Sequence, residues 1–150
     1  MTQNYTLEEV CIRITDGAHH SPKSFDDGLP MASVKDMTDY GLDLTNCRKI
    51  SAQDFEQLVR QDCQPKKDDV LIAKDGSYLK HVFACKEDLN AVILSSIAIL
   101  RPNTKIVDPA YLAFLLSSPS VKGGMANYVS GSAIPRIILK AFRKFNIALP

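Results

Sequence analysis

Residues 66–85, KKDDVLIAKDGSYLKHVFAC, decide the fold class. Val70 to Ala73 and His81 to Cys85 are rich in β-branched and apolar residues, and KDGSYLK between them carries turn-forming residues, so the segment reads as two strands and a turn. Asp68 and Asp69 then start a strand and Asp75 sits in a tight turn, where aspartate is locally favoured. That local role outweighs a reading of the three carboxylates and Lys74 as a magnesium-dependent nuclease group.

Working outward toward the C-terminus, Ser96 to Leu100 reads as a third strand. Asp108-Pro109 opens a helix, because Asp can cap and Pro is tolerated at the first helical position. PAYLAFLLSS is mostly apolar, so that helix is expected to be largely buried. Ser118-Pro119 ends it. A second helix is expected from Pro119 to about Tyr128, weakened by Gly123-Gly124, followed by the turn-prone VSGSAIPR. The tail IILKAFRKFNIALP suggests a strand, a helical turn and a final strand.

On the N-terminal side, Thr6 and Glu9 have capping-box spacing, which predicts a short helix with Leu7 and Val10 turned inward and a stop near Asp16-Gly17. GAHHSPKSFDDGLP reads as an exposed loop, and Met31 to Val34 as a short strand. SAQDFEQLVR, from Ser51 to Arg60, has a Ser cap and helical spacing of Phe55, Leu58 and Val59. The class that fits is α+β, a single domain over residues 1–150 with a mixed, curved β-sheet flanked by short helices.

A chain of 150 residues can bury one sizeable core, and 45% hydrophobic with 23% charged residues is ordinary for a globular protein. The longest apolar run, Ala91 to Leu100, is broken by Ser95 and Ser96, and MTQNYTLEEV lacks the basic start and apolar stretch of a secretory signal. No membrane association and a cytoplasmic location are therefore expected. Cys11, Cys47, Cys63 and Cys85 form no CxxC pair and read as reduced structural residues.

The net charge of +1 hides an asymmetry. Up to Asp75 there are nine basic and fourteen acidic residues, after it nine and three, so the halves carry −5 and +6. From Pro109 onward Lys122, Arg136, Lys140, Arg143 and Lys144 meet no acidic residue. A polyanion would be drawn to such a face, since neutralising phosphates releases condensed counterions.

Catalytic patterns are scarce. There is no GxxxxGK[ST] loop, no GxGxxG and no GxSxG elbow, and a methyltransferase's glycine-rich cofactor loop and aromatic-bearing catalytic tetrapeptide are not visible. Asp16, His19 and His20 come nearest to a metal cluster, but adjacent histidines in a loop usually point apart, and no metal or cofactor is assigned.

Six stretches, ITDGAHHSP, GLPMASVKDM, KKDDVLIAKDGS, SSIAILRPN, DPAYLAFLLSS and VSGSAIPRIILKAFRKFNIALP, in this order and spacing, resemble the target-recognition domain of type I restriction-modification specificity subunits. The resemblance runs from about Thr6 to Pro150. Two departures stand out: the family often has a glycine just after its DGS turn, where this chain has Tyr78, Leu79 and Lys80, and the chain stops at ALP, where the family continues into a proline-rich turn and a long helix.

The resemblance implies a non-catalytic, sequence-specific reader of double-stranded DNA, about half a specificity subunit lacking the following long spacer helix. Its partners would be a second target-recognition domain, modification subunits that methylate adenine and restriction subunits that cut. The other readings are a reader excised from a fused restriction-methyltransferase enzyme and a basic adaptor that binds an acidic protein.

KDGSYLK and VSGSAIPR are the turns expected to face DNA, because glycine lets the backbone approach closely and Ser, Lys and Arg supply donors. Arg136 is placed on a guanine or a phosphate. Lys74, Lys80, Lys140, Arg143 and Lys144 are placed on phosphates or the surface, Ser77, Tyr78, Ser130 and Ser132 on bases or in loop ordering, and His19, His20 and Lys23 form a third contact.

Overall fold

The computed structural model describes residues 2–75, 80–126 and 138–150. Its centre is an antiparallel four-stranded sheet built from β2 (Cys11–Asp16), β8 (Ile97–Pro102), β5 (Val70–Ala73) and β6 (Val82–Ala84), in that spatial order. All four residues of β5 are buried, as an inner strand covered on both faces requires.

Alternation along the strands divides the core. Val70 and Ile72 of β5 and Ala98 and Leu100 of β8 turn to one face, where they join Leu7, Val10, Leu112, Leu116 and Phe142. Leu71, Ala73, Ile97 and Ile99 turn to the other and meet Ala32, Met37, Phe83, Cys85 and Ile93. The first face is covered by α1 (Leu7–Val10), α3 (Pro109–Leu116) and α5 (Leu139–Lys144), with Val121 and Met125 from the helix after α3 packed beside them. Burying a side chain the size of Phe142 contributes about 1.5–3 kcal/mol, and Phe142 is fully buried.

The opposite face carries a three-stranded sheet of β4 (Arg48–Ile50), β3 (Ser24–Ala32) and β7 (Val92–Ile93). Here β3 pairs antiparallel with β4 and parallel with β7, so the mixed character expected of the sheet resides in this layer. Helix α2 (Ala52–Arg60) seals it with Phe55 and Leu58 against Met31, Ile50 and Val92. Gly28 fits here because a Cβ would stand 2.3 Å from the Ile50 carbonyl oxygen. The terminal strands β1 (Gln3–Thr6) and β9 (Asn146–Leu149) pair antiparallel as a separate ribbon. A further helix, α4 (Pro119–Ala126), follows α3. The α+β class stands, with the strands shared among three sheets.

Local signals translate directly in several places. Ser51 Oγ accepts from Asp54 N at 3.1 Å and Asp108 Oδ1 from Tyr111 N at 3.1 Å, each capping its helix. Thr6 N donates to Glu9 Oε1 at 2.8 Å, closing the capping box of α1.

Three expectations are corrected. Helix α1 is a single turn, and Cys11–Asp16, expected to be helical, is strand β2, because pairing with β8 outweighs local preference. The second half of the expected loop GAHHSPKSFDDGLP is β3, which supersedes the short strand placed at Met31 to Val34. Helix α3 buries Leu112, Ala113 and Leu116 but leaves Phe114 71% exposed, beside a groove of about 320 Å³ also lined by Tyr40, Val82 and Ala84.

Candidate nucleic-acid interface

The register of the four-stranded sheet brings the C-terminal ends of β2 and β5 together: Asp16 lies opposite Ala98, and Ala73 opposite Ile97. Gly17 to Lys23, and Lys74 and Asp75 of the KDGSYLK stretch, follow directly at this one end.

The tight turn between β7 and β8 binds them to each other. The Ser96 carbonyl accepts from Lys74 N at 2.9 Å and Asp75 N at 3.3 Å. Ser95 N donates to the Ala18 carbonyl at 2.9 Å, Ala18 N to the Ile93 carbonyl at 2.9 Å, and Gly17 N to the Ile97 carbonyl at 3.3 Å. Ser96 Oγ accepts from Val34 N at 3.0 Å, which adds the segment after β3. Backbone approaches this closely at Gly17 that a Cβ would stand 2.2 Å from the Ile93 oxygen, so the position takes only glycine.

Side chains reinforce the junction. Asp16 is buried, with Oδ1 2.8 Å from His19 Nε2 and Oδ2 3.4 Å from Lys74 Nζ. Lys74 Nζ also lies 3.4 Å from Asp75 Oδ1. The Lys74 side chain is only 7% exposed, so its assignment as a surface or phosphate-binding cation is corrected: it is an internal counter-ion between two carboxylates. A lysine withdrawn from water this far persists only when paired. Both Asp16 oxygens are thus engaged by cationic or imidazole nitrogens, and among the described residues no group of three His, Cys, Asp or Glu is placed to hold a metal ion.

Of the nearby candidates in the chain, only His19 is in contact with this buried pair among the described residues. His19, His20, Lys23 and Lys80 are all exposed. Ser21 and Ser24, which flank Lys23, both accept from Arg48, Ser24 Oγ from Nε at 2.8 Å. Arg48 was not singled out from the sequence. Its only signal there is a basic residue in a strand-length segment, and its partners lie more than twenty residues away in the chain.

The basic C-terminal segment stands beside the same sheet. Helix α5 packs on β2 and α1, and Arg143 Nη2 donates to the Ile14 carbonyl at 3.2 Å, along the free edge of β2. Lys144 Nζ is 2.9 Å from Glu8 Oε1, while Lys140 is exposed one turn earlier on the helix. Of the remaining candidates, Ser77, Tyr78, Ser130, Ser132 and Arg136 lie outside the described residues.

The opposite end of the same sheet is a closed ionic network. Arg101 donates from Nε to Asp69 Oδ1 at 2.8 Å and from Nη2 to Asp69 Oδ2 at 3.0 Å, a bidentate pair, and its guanidinium also reaches Asp62 at 3.2 Å. Arg13 Nε meets Asp62 at 2.8 Å. The hydrogen bonds to Asp69, outweighing the cost of burial, hold Arg101 above its ordinary pKa. Asp62 and Asp68 both have positive φ, 62° and 74°, a left-handed conformation that aspartate tolerates better than most residues. Asp69 is fully buried, so of the carboxylates weighed above as a nuclease group Asp68 and Asp69 belong to strand entry and to this network, whereas Asp75 pairs with Lys74 at the other end of the sheet. The four cysteines are free, and burial pushes the Cys11 and Cys85 thiols up to about 12. Such thiols are protonated and unreactive near neutrality.

The family model for the type I restriction modification DNA specificity domain matches residues 2–150. The type I restriction enzyme EcoBI specificity subunit of Escherichia coli is 29% identical over 124 residues, covering 83% of this chain and 26% of that protein. Among solved structures, the S subunit of the type I restriction-modification system from M. genitalium superimposes with a TM-score of 0.64 at 11% identity, over 99% of this chain and 34% of that one. The HsdS subunit from Thermoanaerobacter tengcongensis does so with a TM-score of 0.59 at 22% identity, over 99% and 33%. At these identities the superpositions speak for the fold alone. The chain spans about a quarter of its curated relative and about a third of these solved subunits.

Proposed function

Because this chain belongs to the type I restriction modification DNA specificity domain family, we propose that it binds double-stranded DNA at a short base sequence and supplies recognition, with no catalytic step of its own, to partner subunits that methylate and cut. The family match over residues 2–150 carries this reading. The convergence of the His19 loop with Lys74, Asp75 and His81 at one end of the sheet supports it, because exposed imidazole, ammonium and hydroxyl groups near one another are what base edges and phosphates require.

His19, His20, Lys23, Lys80 and Lys140, with Ser77, Tyr78, Ser130, Ser132 and Arg136, form the proposed contact set. Arg143 and Lys144 contribute charge from α5 while tied to Ile14 and Glu8. In the complete assembly a second domain of the same kind reads the other part of a bipartite site, and tethering the two raises the effective concentration of each at its half. No helix among the described residues is long and apolar enough to cross a membrane, and the proposed site of action is the cytoplasm.

Selection of bound sequences from a random duplex pool tests the reading. Enrichment of one short motif, with affinity falling steeply as salt rises, is the expected result. Recovery of all sequences alike overturns it, and so does cleavage or methylation of the duplex by this chain alone in the presence of magnesium, ATP and S-adenosylmethionine.

A further inference from the structure

Arg48 and the loop it holds form a cluster of hydrogen-bond donors without an acid. Arg48 lies on β4 opposite Met31 of β3 and is half-buried, while Lys49 beside it is exposed and Ile50 fully buried. Strand alternation therefore sets the Arg48 stem on the core side of β4 and its head at the rim. There Nε donates to Ser24 Oγ at 2.8 Å and Nη1 donates to Ser21 Oγ. Neither bond uses a serine hydroxyl proton, and among the described residues no acceptor takes these protons or the remaining guanidinium N–H groups. Lys23 stands exposed between the two serines, and neither it nor Arg48 has a carboxylate partner among the described residues. The exposed Asp26 and Asp27 further along β3 pair with neither cation. The loop is fixed at its start as well, where Ala18 N donates to the Ile93 carbonyl and Ser95 N to the Ala18 carbonyl, both at 2.9 Å.

We propose that Arg48, Ser21, Ser24 and Lys23 form a phosphate clamp that grips one phosphodiester group of the DNA backbone and sets the register of the domain on the duplex. The inference rests on the DNA-binding function proposed above. With each hydroxyl oxygen already accepting from Arg48, the serines turn their protons outward, and the cluster offers donors and positive charge only. A phosphodiester, with its negative charge and acceptor oxygens, matches such a set, whereas a base edge presents donors and acceptors in a pattern. The Arg48 head is also held in place before DNA arrives, so less side-chain freedom is lost on binding than at an unrestrained surface lysine.

The full chain, Arg48→Gln, Arg48→Lys and the double variant Ser21→Ala with Ser24→Ala are titrated with the selected duplex and a scrambled duplex at two salt concentrations. Arg48→Gln is expected to weaken both duplexes alike, about tenfold, and to make the salt slope shallower by about one unit. Arg48→Lys keeps the charge and the slope but loses part of the affinity, because an ammonium lacks the fork that holds both hydroxyls. The serine variant also keeps the slope and weakens both duplexes by one factor. A loss confined to the selected duplex makes Arg48 a base reader and overturns the proposal. An unchanged slope in Arg48→Gln reduces Arg48 to a clip for the loop and overturns it equally.

A series of selected duplexes, each with a single phosphate replaced by an uncharged methylphosphonate, locates the contact. At one position the replacement weakens the parent about tenfold and Arg48→Gln hardly at all, because the two changes remove the same interaction. Losses that add at every position overturn the clamp, whatever the melting temperatures of the variants. A parent protein with no preference for any duplex brings down the DNA-reading function itself, whereas a parental preference with additive losses at every phosphate removes only this inference.

Discussion

The two ends of the central sheet carry ionic clusters of different construction. At the entry to β5, two guanidinium groups meet two carboxylates, with bidentate geometry and contacts of 2.8 to 3.3 Å. At the exit from β5, one buried ammonium serves two carboxylates at 3.4 Å, and the remaining partner is an exposed histidine. The first cluster is charge-balanced. The second is open: it sets two carboxylates against one ammonium, and its third member is the exposed His19 ring. A balanced network at short distance serves the fold, whereas an open one beside exposed donors is where a polyanion and its counter-charges can still change the balance.

Breaking the closed end should produce the largest effect. Arg101→Leu leaves the fully buried Asp69 without its cation and should destabilise the domain by about 3–5 kcal/mol, read as a shift in denaturant midpoint with an unchanged slope. Base preference of the surviving folded fraction should be that of the parent. A larger loss of preference than of stability would erase the distinction between the ends.

At the open end, stability should respond less. Lys74→Met removes a charge whose partner Asp16 keeps His19 as a second donor, so a cost of about 1–3 kcal/mol is expected. Equal destabilisation by Arg101→Leu and Lys74→Met would show that both clusters are structural alike.

Base reading sharpens the contrast further. Arg136→Ala should cost about 1–3 kcal/mol on the selected duplex, much less on random DNA, and relax one base pair. Equal losses on both duplexes would make Arg136 a positioning residue and remove the VSGSAIPR turn from base readout.

Two lysines of α5 give a finer comparison. Lys140→Ala should make the salt slope shallower by about one unit, and Lys144→Ala by less, because Lys144 already holds Glu8 at 2.9 Å. The reverse order would mean that the Glu8 pair opens on binding.

The smallest effect concerns the clasp of α1. Hydrogen bonds from the Thr6 backbone and then its hydroxyl hold the Glu9 carboxyl below its ordinary value. A carboxyl depressed in the folded state stabilises above its unfolded pKa and loses that contribution as pH falls through the folded one. Thr6→Ala should therefore flatten the acid limb of the stability profile slightly, and an unchanged limb would remove the capping box from the energetics of this region.

Much of the fold is legible where one short segment carries the whole cause. Ser51 and Asp108 cap their helices from three residues away, and the apolar run Val70–Ala73 is the strand it was read to be. Cys11–Asp16 was misread because a strand following a capping box is decided by its partner, Ile97–Pro102, which local spacing does not reveal. At the candidate site, GAHHSPK and KDGSYLK were legible as two separate polar, turn-rich stretches, but neither the meeting of Ala18 and Lys74 at the Ser95–Ser96 turn nor the contrast between exposed Lys80 and buried Lys74 was.

The sequence by itself determined the α+β class, the capped helices, the strand Val70–Ala73 and a family resemblance that the family match bears out. Those features rest on capping, periodicity and motif order, which act within a few residues or survive as pattern. Only the tertiary structure decided that Lys74 is a counter-ion, that Arg48 ties down Ser21 and Ser24, and that two carboxylate clusters of opposite character occupy the two ends of one sheet. Charge pairing depends on distance in space, and the strand register that sets those distances joins residues far apart in the chain.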